Sequence, residues 1–254
     1  MITLTLGQFD ALLVQYFYPF VRILALIASA PVLGNRAIPA RIKVALAALI
    51  AFLIADTPGA SLPAVDSYSG FVIVAREILI GLALGLSVRV IFSAIEMSGE
   101  LIGLQMGLSF AGYIDPSSGG ASNAVSSYLR VIAILLFLSI NGHLLMIAGL
   151  SASFERYPIG APFTSSFELS AVAAMGSQMF SLALSLALPI VIVLLMINLA
   201  MGIMSRVAPQ LSIFAVGFPI TMVAGLTTLT LLMPYLGRPL QIALERAASL
   251  ILPT

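Results

Sequence analysis

Cysteine and tryptophan are both missing from this 254-residue chain, and there is a single histidine, His143. Without cysteine there can be no disulfide and no thiolate metal site. One histidine leaves almost no scope for zinc or haem, so neither a metal nor a cofactor is expected. Charge is also scarce: 8% of residues are charged and the net charge is +1. Soluble domains carry about 25% charged residues, which argues against a water-soluble globule. No basic patch is available to neutralise phosphates, which argues against nucleic acid. The chain has no HExxH, P-loop, GxSxG or glycine-rich dinucleotide turn, so no motif points to an enzyme. His143, within Asn141-Gly142-His143, reads as a side chain that satisfies buried carbonyls rather than as a proton carrier.

What is abundant is apolar surface. The chain is 61% hydrophobic, with a mean hydropathy of +1.15. The expected fold is all-α, a multi-helix integral membrane protein of about six apolar helical segments arranged in hairpins. Residues 11–33 are long enough to span a bilayer, which needs about 20 apolar residues. No basic residue precedes Arg22, so this first run is expected to be mature protein rather than a cleaved leader. A basic turn follows, with Arg36, Arg41 and Lys43 around Pro39. Residues 42–55 form a shorter apolar run that fits a core helix or a re-entrant segment. The third run is 71–95, the fourth 124–154, the fifth 169–204 with a kink expected at Pro189, and the sixth 213–233. Residues 240–252 read as an amphipathic tail lying on a surface. The basic turn at 36–43 favours a cytoplasmic first connection, and Arg206 agrees, but Arg156, Arg238 and Arg246 oppose it.

One stretch between the apolar runs stands out, residues 96–123. Gly99, Gly103 and Gly107 recur every fourth residue and would form a smooth helix-packing ridge. Glu96 and Glu100 sit one turn apart beside it. Then come Phe110, Gly112, Tyr113, Ile114, Asp115, Pro116, Ser117 and Gly119, a turn-rich polar sequence that must form a tight loop.

Charges within or close to apolar runs form a second group: Arg22, Arg76, Glu77, Arg89 and Arg130. Each would cost roughly 2.5–3.5 kcal/mol at a lipid-facing helix centre, so each must turn toward a partner or water. Arg76 and Glu77 are adjacent and point apart on a helix, so their partners lie elsewhere. Structural ion pairs are one reading, a water-filled path or a subunit contact the other. Asn198, Gly202 and Arg206 make a polar stripe at the end of the fifth run, either a helix end entering water or a docking surface. From the residues alone two classes remain open: a subunit of a protein-conducting pore gated by the central loop, and a small-solute transporter with a broken-helix site.

Three long, non-repetitive blocks narrow the choice: GELIGLQMGLSFAGYIDP (99–116), LLFLSINGHLLMI (135–147) and NLAMGIMSRVAPQLSIFAVGFPI (198–220). With RILALIASAPVLGNRAIPARIKVALAALIAFL (22–53), they resemble the FliR family of type III secretion export-gate subunits, across essentially the whole chain. The flagellar branch resembles it more than the injectisome branch does. The resemblance implies a single FliR-like domain over 1–254: N-terminal helices at 1–95, glycine-ridged helix and plug at 96–123, helical hairpins at 124–233, tail at 234–254. It implies a non-enzymatic subunit, present in one copy with FliP and FliQ subunits, passing unfolded flagellar proteins outward. It further implies FlhB- and FlhA-type neighbours, contact with membrane lipid, and a place in the inner (cell) membrane at the flagellar basal body. The plug of that family falls here on 110–123, centred on Tyr113, Ile114, Asp115 and Pro116.

Overall fold

The computed structural model describes residues 6–54, 62–108, 123–160, 169–207 and 216–249. Among them are eight α-helices and no strand: α1 Leu6–Ser29, α2 Ala40–Ile54, α3 Tyr68–Gln105, α4 Ala124–Ser139, α5 Gly142–Arg156, α6 Leu169–Val207, α7 Phe218–Leu232 and α8 Gly237–Ser249. A short 3₁₀ turn, Met233–Tyr235, joins the last two. The fold is all-α, as expected, but the six apolar runs and the tail become eight helices because the fourth run breaks. Ile140 closes α4, and Asn141 takes a left-handed φ of 56° before α5 starts. Asparagine tolerates that conformation better than most residues.

The boundary expected at residue 95 falls inside α3, which runs unbroken from the third apolar run into the glycine-rich stretch. Nothing between Ile95 and Gln105 can stop a helix, since there is no proline and the glycines are isolated. Helix α6 is likewise continuous through Pro189. Three described helices are long and apolar enough to cross a membrane, Tyr68–Gln105, Met175–Val207 and Phe218–Tyr235, or four if the broken pair α4 and α5 counts as one span.

The chain divides into two compact units. The first comprises Met1–Val90, Asn141–Met175 and Leu244–Thr254. Its buried residues include Tyr18, Ile23, Ile27, Ala47, Ile80 and Leu150. The second comprises Ile91–Ile140 and Gly176–Ala243. It buries one face of α4, Val125, Leu129, Ala133 and Phe137 at helical spacing, with Phe92 meeting Phe137 edge to face at 5.5 Å. In such apolar helices hydroxyls bond back to their own backbone: Ser87 donates to the Leu84 carbonyl at 2.7 Å and Thr227 to the Val223 carbonyl at 2.8 Å. That internal pairing lets them sit without water.

Candidate functional site

In the first unit the buried charges converge. Arg22 on α1 and Glu77 on α3 are both fully buried, and Arg22 Nε donates to Glu77 Oε2 at 2.6 Å. The rest of the guanidinium is satisfied by the end of α5. Nη1 donates to the Ser153 carbonyl at 2.8 Å and to Ser153 Oγ at 3.1 Å, and Nη2 to the Tyr157 carbonyl at 2.8 Å. The Phe154 ring lies 4.2 Å from the guanidinium carbon, a cation–π contact. Arg76 adds a third capped carbonyl, donating from Nη1 to Pro158 at 2.9 Å.

Helix ends leave carbonyls without partners, and two arginines supply donors there in an apolar setting. Glu77 Oε1 has no hydrogen-bond partner among the described residues. Arg76 and Glu77 thus find separate partners, as their adjacency requires. Close approach of α1 to α3 depends on Gly81, where a Cβ would meet Ala25 Cβ at 2.8 Å, and on Gly85, where it would meet the Leu26 carbonyl at 2.8 Å.

In the second unit the glycine face of α3 receives the start of α4. A Cβ at Gly99 would lie 2.9 Å from the Ser126 backbone nitrogen. One at Gly103 would meet the Asn123 carboxamide, 2.7 Å from Oδ1. Asn123 is the hub. Its Oδ1 accepts from Ser126 N at 2.8 Å and caps α4. Its Nδ2 donates to Glu100 Oε2 at 3.0 Å, and its backbone N–H donates to Glu100 Oε1 at 3.3 Å. Ser126 Oγ donates to the Glu96 carbonyl at 3.0 Å, and Glu96 pairs with Arg130 at 2.7 Å on a partly exposed surface.

Gly107 departs from the expected ridge. The helix ends at Gln105, and Gly107 takes a φ of +80°. Its N–H donates to the Leu104 carbonyl at 3.0 Å and that of Leu108 to Gly103 at 2.9 Å. This is a Schellman ending, which needs a left-handed residue at that position. The third glycine therefore terminates the helix rather than packing it, and Met106 beside it is fully buried against Gly225 of α7.

The remaining candidates are not gathered into either cluster. Arg89 is exposed on α3 with no partner among the described residues. Asn198, Gly202 and Arg206 stay exposed along α6, with nothing within 4 Å of where a Gly202 Cβ would be. His143 does not meet the expectation of a satisfied histidine: its buried Nδ1 has no partner among the described residues. Residues 110–119, the expected plug, lie outside the described residues. Sequence reading missed the Asn123 hub, although an asparagine directly before an apolar run is an N-cap signal. It also missed the 153–158 carbonyls, which no side-chain pattern marks.

Taken together, buried arginines, small-residue helix contacts and membrane-length apolar helices define an all-α membrane-embedded protein. Similarity then fixes the family. The family model for bacterial export proteins, family 1, matches residues 13–247. The chain is 48% identical over 220 residues to the flagellar biosynthetic protein FliR of Pectobacterium carotovorum subsp. carotovorum, covering 87% of this chain and 84% of that one. It is 42% identical over 237 residues to the Escherichia coli (strain K12) protein of the same name, covering 93% and 91%. With FliR of Bacillus subtilis (strain 168) the identity is 31%, covering 79% of each chain. The chain belongs to the FliR family of bacterial export proteins, and is a component of flagellar protein export rather than an enzyme.

Proposed function

We propose that this chain is the single-copy subunit of a hetero-oligomeric export gate, built with FliP- and FliQ-type subunits in the bacterial inner membrane, next to FlhB- and FlhA-type components. The observation that carries this reading is the open stripe on α6. Asn198 is exposed two turns before the end of the helix, in line with exposed Gly202 and Arg206 and flanked by exposed Leu195, Met196, Leu199 and Ile203. An amide amid such apolar surface is costly in lipid. A facing helix that approaches over Gly202 and bonds to Asn198 removes that cost.

Within this reading, residues 110–123 form a plug. Gly103 and Asn123 are in contact, so the chain leaves α3 and re-enters α4 at one place, held by Glu100. Apolar Phe110 and Ile114 suit a seal, and Gly112, Gly119 and Gly120 suit withdrawal for an unfolded substrate. Native mass spectrometry after co-expression with FliP- and FliQ-type proteins tests the assembly. A hetero-oligomer with one copy of this chain supports it; a monomer or homodimer indifferent to those proteins refutes it.

A further inference from the structure

The basic turn before α2 is not used by either cluster above. We propose that this turn and the outer face of α2 form a binding site for an anionic phospholipid, with Arg36 and Arg41 on the headgroup and the acyl chain along Ile42, Leu49, Phe52 and Leu53. The proposal rests on the chain's place in a membrane and not on the gate reading.

The charge is one-sided. From residue 11 to residue 55 the chain has no acidic residue. Of the four cations in that stretch, Arg22 is buried with Glu77, and Lys43 donates to the Gly34 carbonyl at 2.8 Å, tying the turn to the helix that follows it. Arg36 and Arg41 are exposed and have no partner among the described residues. Their exposed neighbours, Ala37, Pro39 and Ala40, are too small to cover them. Two guanidiniums without counter-charge suit a phosphodiester, whose oxygens accept their planar N–H forks.

The apolar part fits by length. Ala47 and Ala51 are buried, whereas Ile42, Leu49, Phe52 and Leu53 are each more than half exposed, at 56%, 57%, 68% and 69%. Phe52 follows Arg41 by three helical turns and so lies on the same face. At 1.5 Å per residue, Arg41 to Leu53 covers about 18 Å. One leaflet of a bilayer core is about 15 Å deep. Cations at one end and an apolar face about one leaflet long match a single lipid, and α2 as a whole is too short to span both leaflets.

The missing tryptophan gives a clean probe. Phe52→Trp introduces the only tryptophan of the 254-residue chain, which is reconstituted in phosphatidylcholine membranes. Acyl-brominated phosphatidylglycerol or acyl-brominated phosphatidylcholine is then titrated in at equal mole fractions. Stronger quenching by the brominated phosphatidylglycerol is expected. Each cation beside an anionic surface is worth roughly five-fold in affinity, so Arg36→Gln with Arg41→Gln should lower the preference on the order of ten-fold or more. Arg36→Lys with Arg41→Lys should retain most of it, which separates charge loss from misfolding. Equal quenching by both lipids overturns the proposal. So does quenching by neither, which would mean that protein covers the face, and so does a preference unchanged by the double glutamine variant.

Discussion

Replacing Arg22 with methionine should destabilise this protein more than any other single change in the first unit. The side chain is fully buried and spends its donors on Glu77, Ser153 and Tyr157, all within 3.1 Å. Removing one member of a buried ion pair costs about 3–5 kcal/mol, because the other charge stays buried without compensation. The freed Tyr157 carbonyl adds about 1–3 kcal/mol if nothing replaces the donor, whereas that of Ser153 still accepts from the Tyr157 N–H at 2.9 Å. Glu77→Gln should be much milder. It leaves the buried Arg22 without its counter-charge, but still bonded to α5 and, through Nε, to the amide oxygen, so a loss of about 2 kcal/mol is expected. For a chain of this size, 1 kcal/mol shifts the midpoint by roughly 2–4 °C. The Arg22→Met protein should therefore melt at least 10 °C below the parent, and Glu77→Gln only a few degrees below. Thermal unfolding in detergent, followed by size-exclusion chromatography of the surviving monodisperse protein, measures both. Arg22→Met within about 2 °C of the parent, or Glu77→Gln below Arg22→Met, would refute the assignment of Arg22 as the staple of α1, α3 and α5.

The glycine face predicts an ordering. Gly99→Ala must push a Cβ into the Ser126 backbone and should cost about 1–3 kcal/mol, whereas Gly202→Ala meets nothing and should leave the isolated chain as stable or slightly more so; melting of the two variants side by side decides it. Under the gate reading, Gly202→Leu should spare the isolated chain yet block co-purification with FliP- and FliQ-type subunits, and normal assembly would refute the α6 contact. Asn123→Ala removes the α4 cap and the Nδ2 bond to Glu100 Oε2, and keeps the backbone N–H bond to Glu100 Oε1. A loss of about 2 kcal/mol is expected, checked by denaturant titration. Deleting residues 114–120 should leave an assembled gate that conducts small ions, and unchanged conductance in planar bilayers would count against the plug.

Much of this protein follows from local composition. Apolar runs longer than a bilayer's thickness can only be helices, because every backbone group must pair within its own segment where water is absent. Arg76 and Glu77 had to look away from each other for the same geometric reason that put Asn198, Gly202 and Arg206 in one stripe. What sequence spacing could not tell was the meaning of Gly107. A glycine four residues past Gly103 looks identical whether the helix continues or ends, and the choice depends on the left-handed turn that buries Met106 beside Gly225, a residue far along the chain. The partner of Arg22 was equally hidden. Two of its four acceptors are backbone carbonyls, 131 and 135 residues away. Every residue carries a carbonyl, so only the packing of α5 against α1 and α3 decides which ones a buried guanidinium meets.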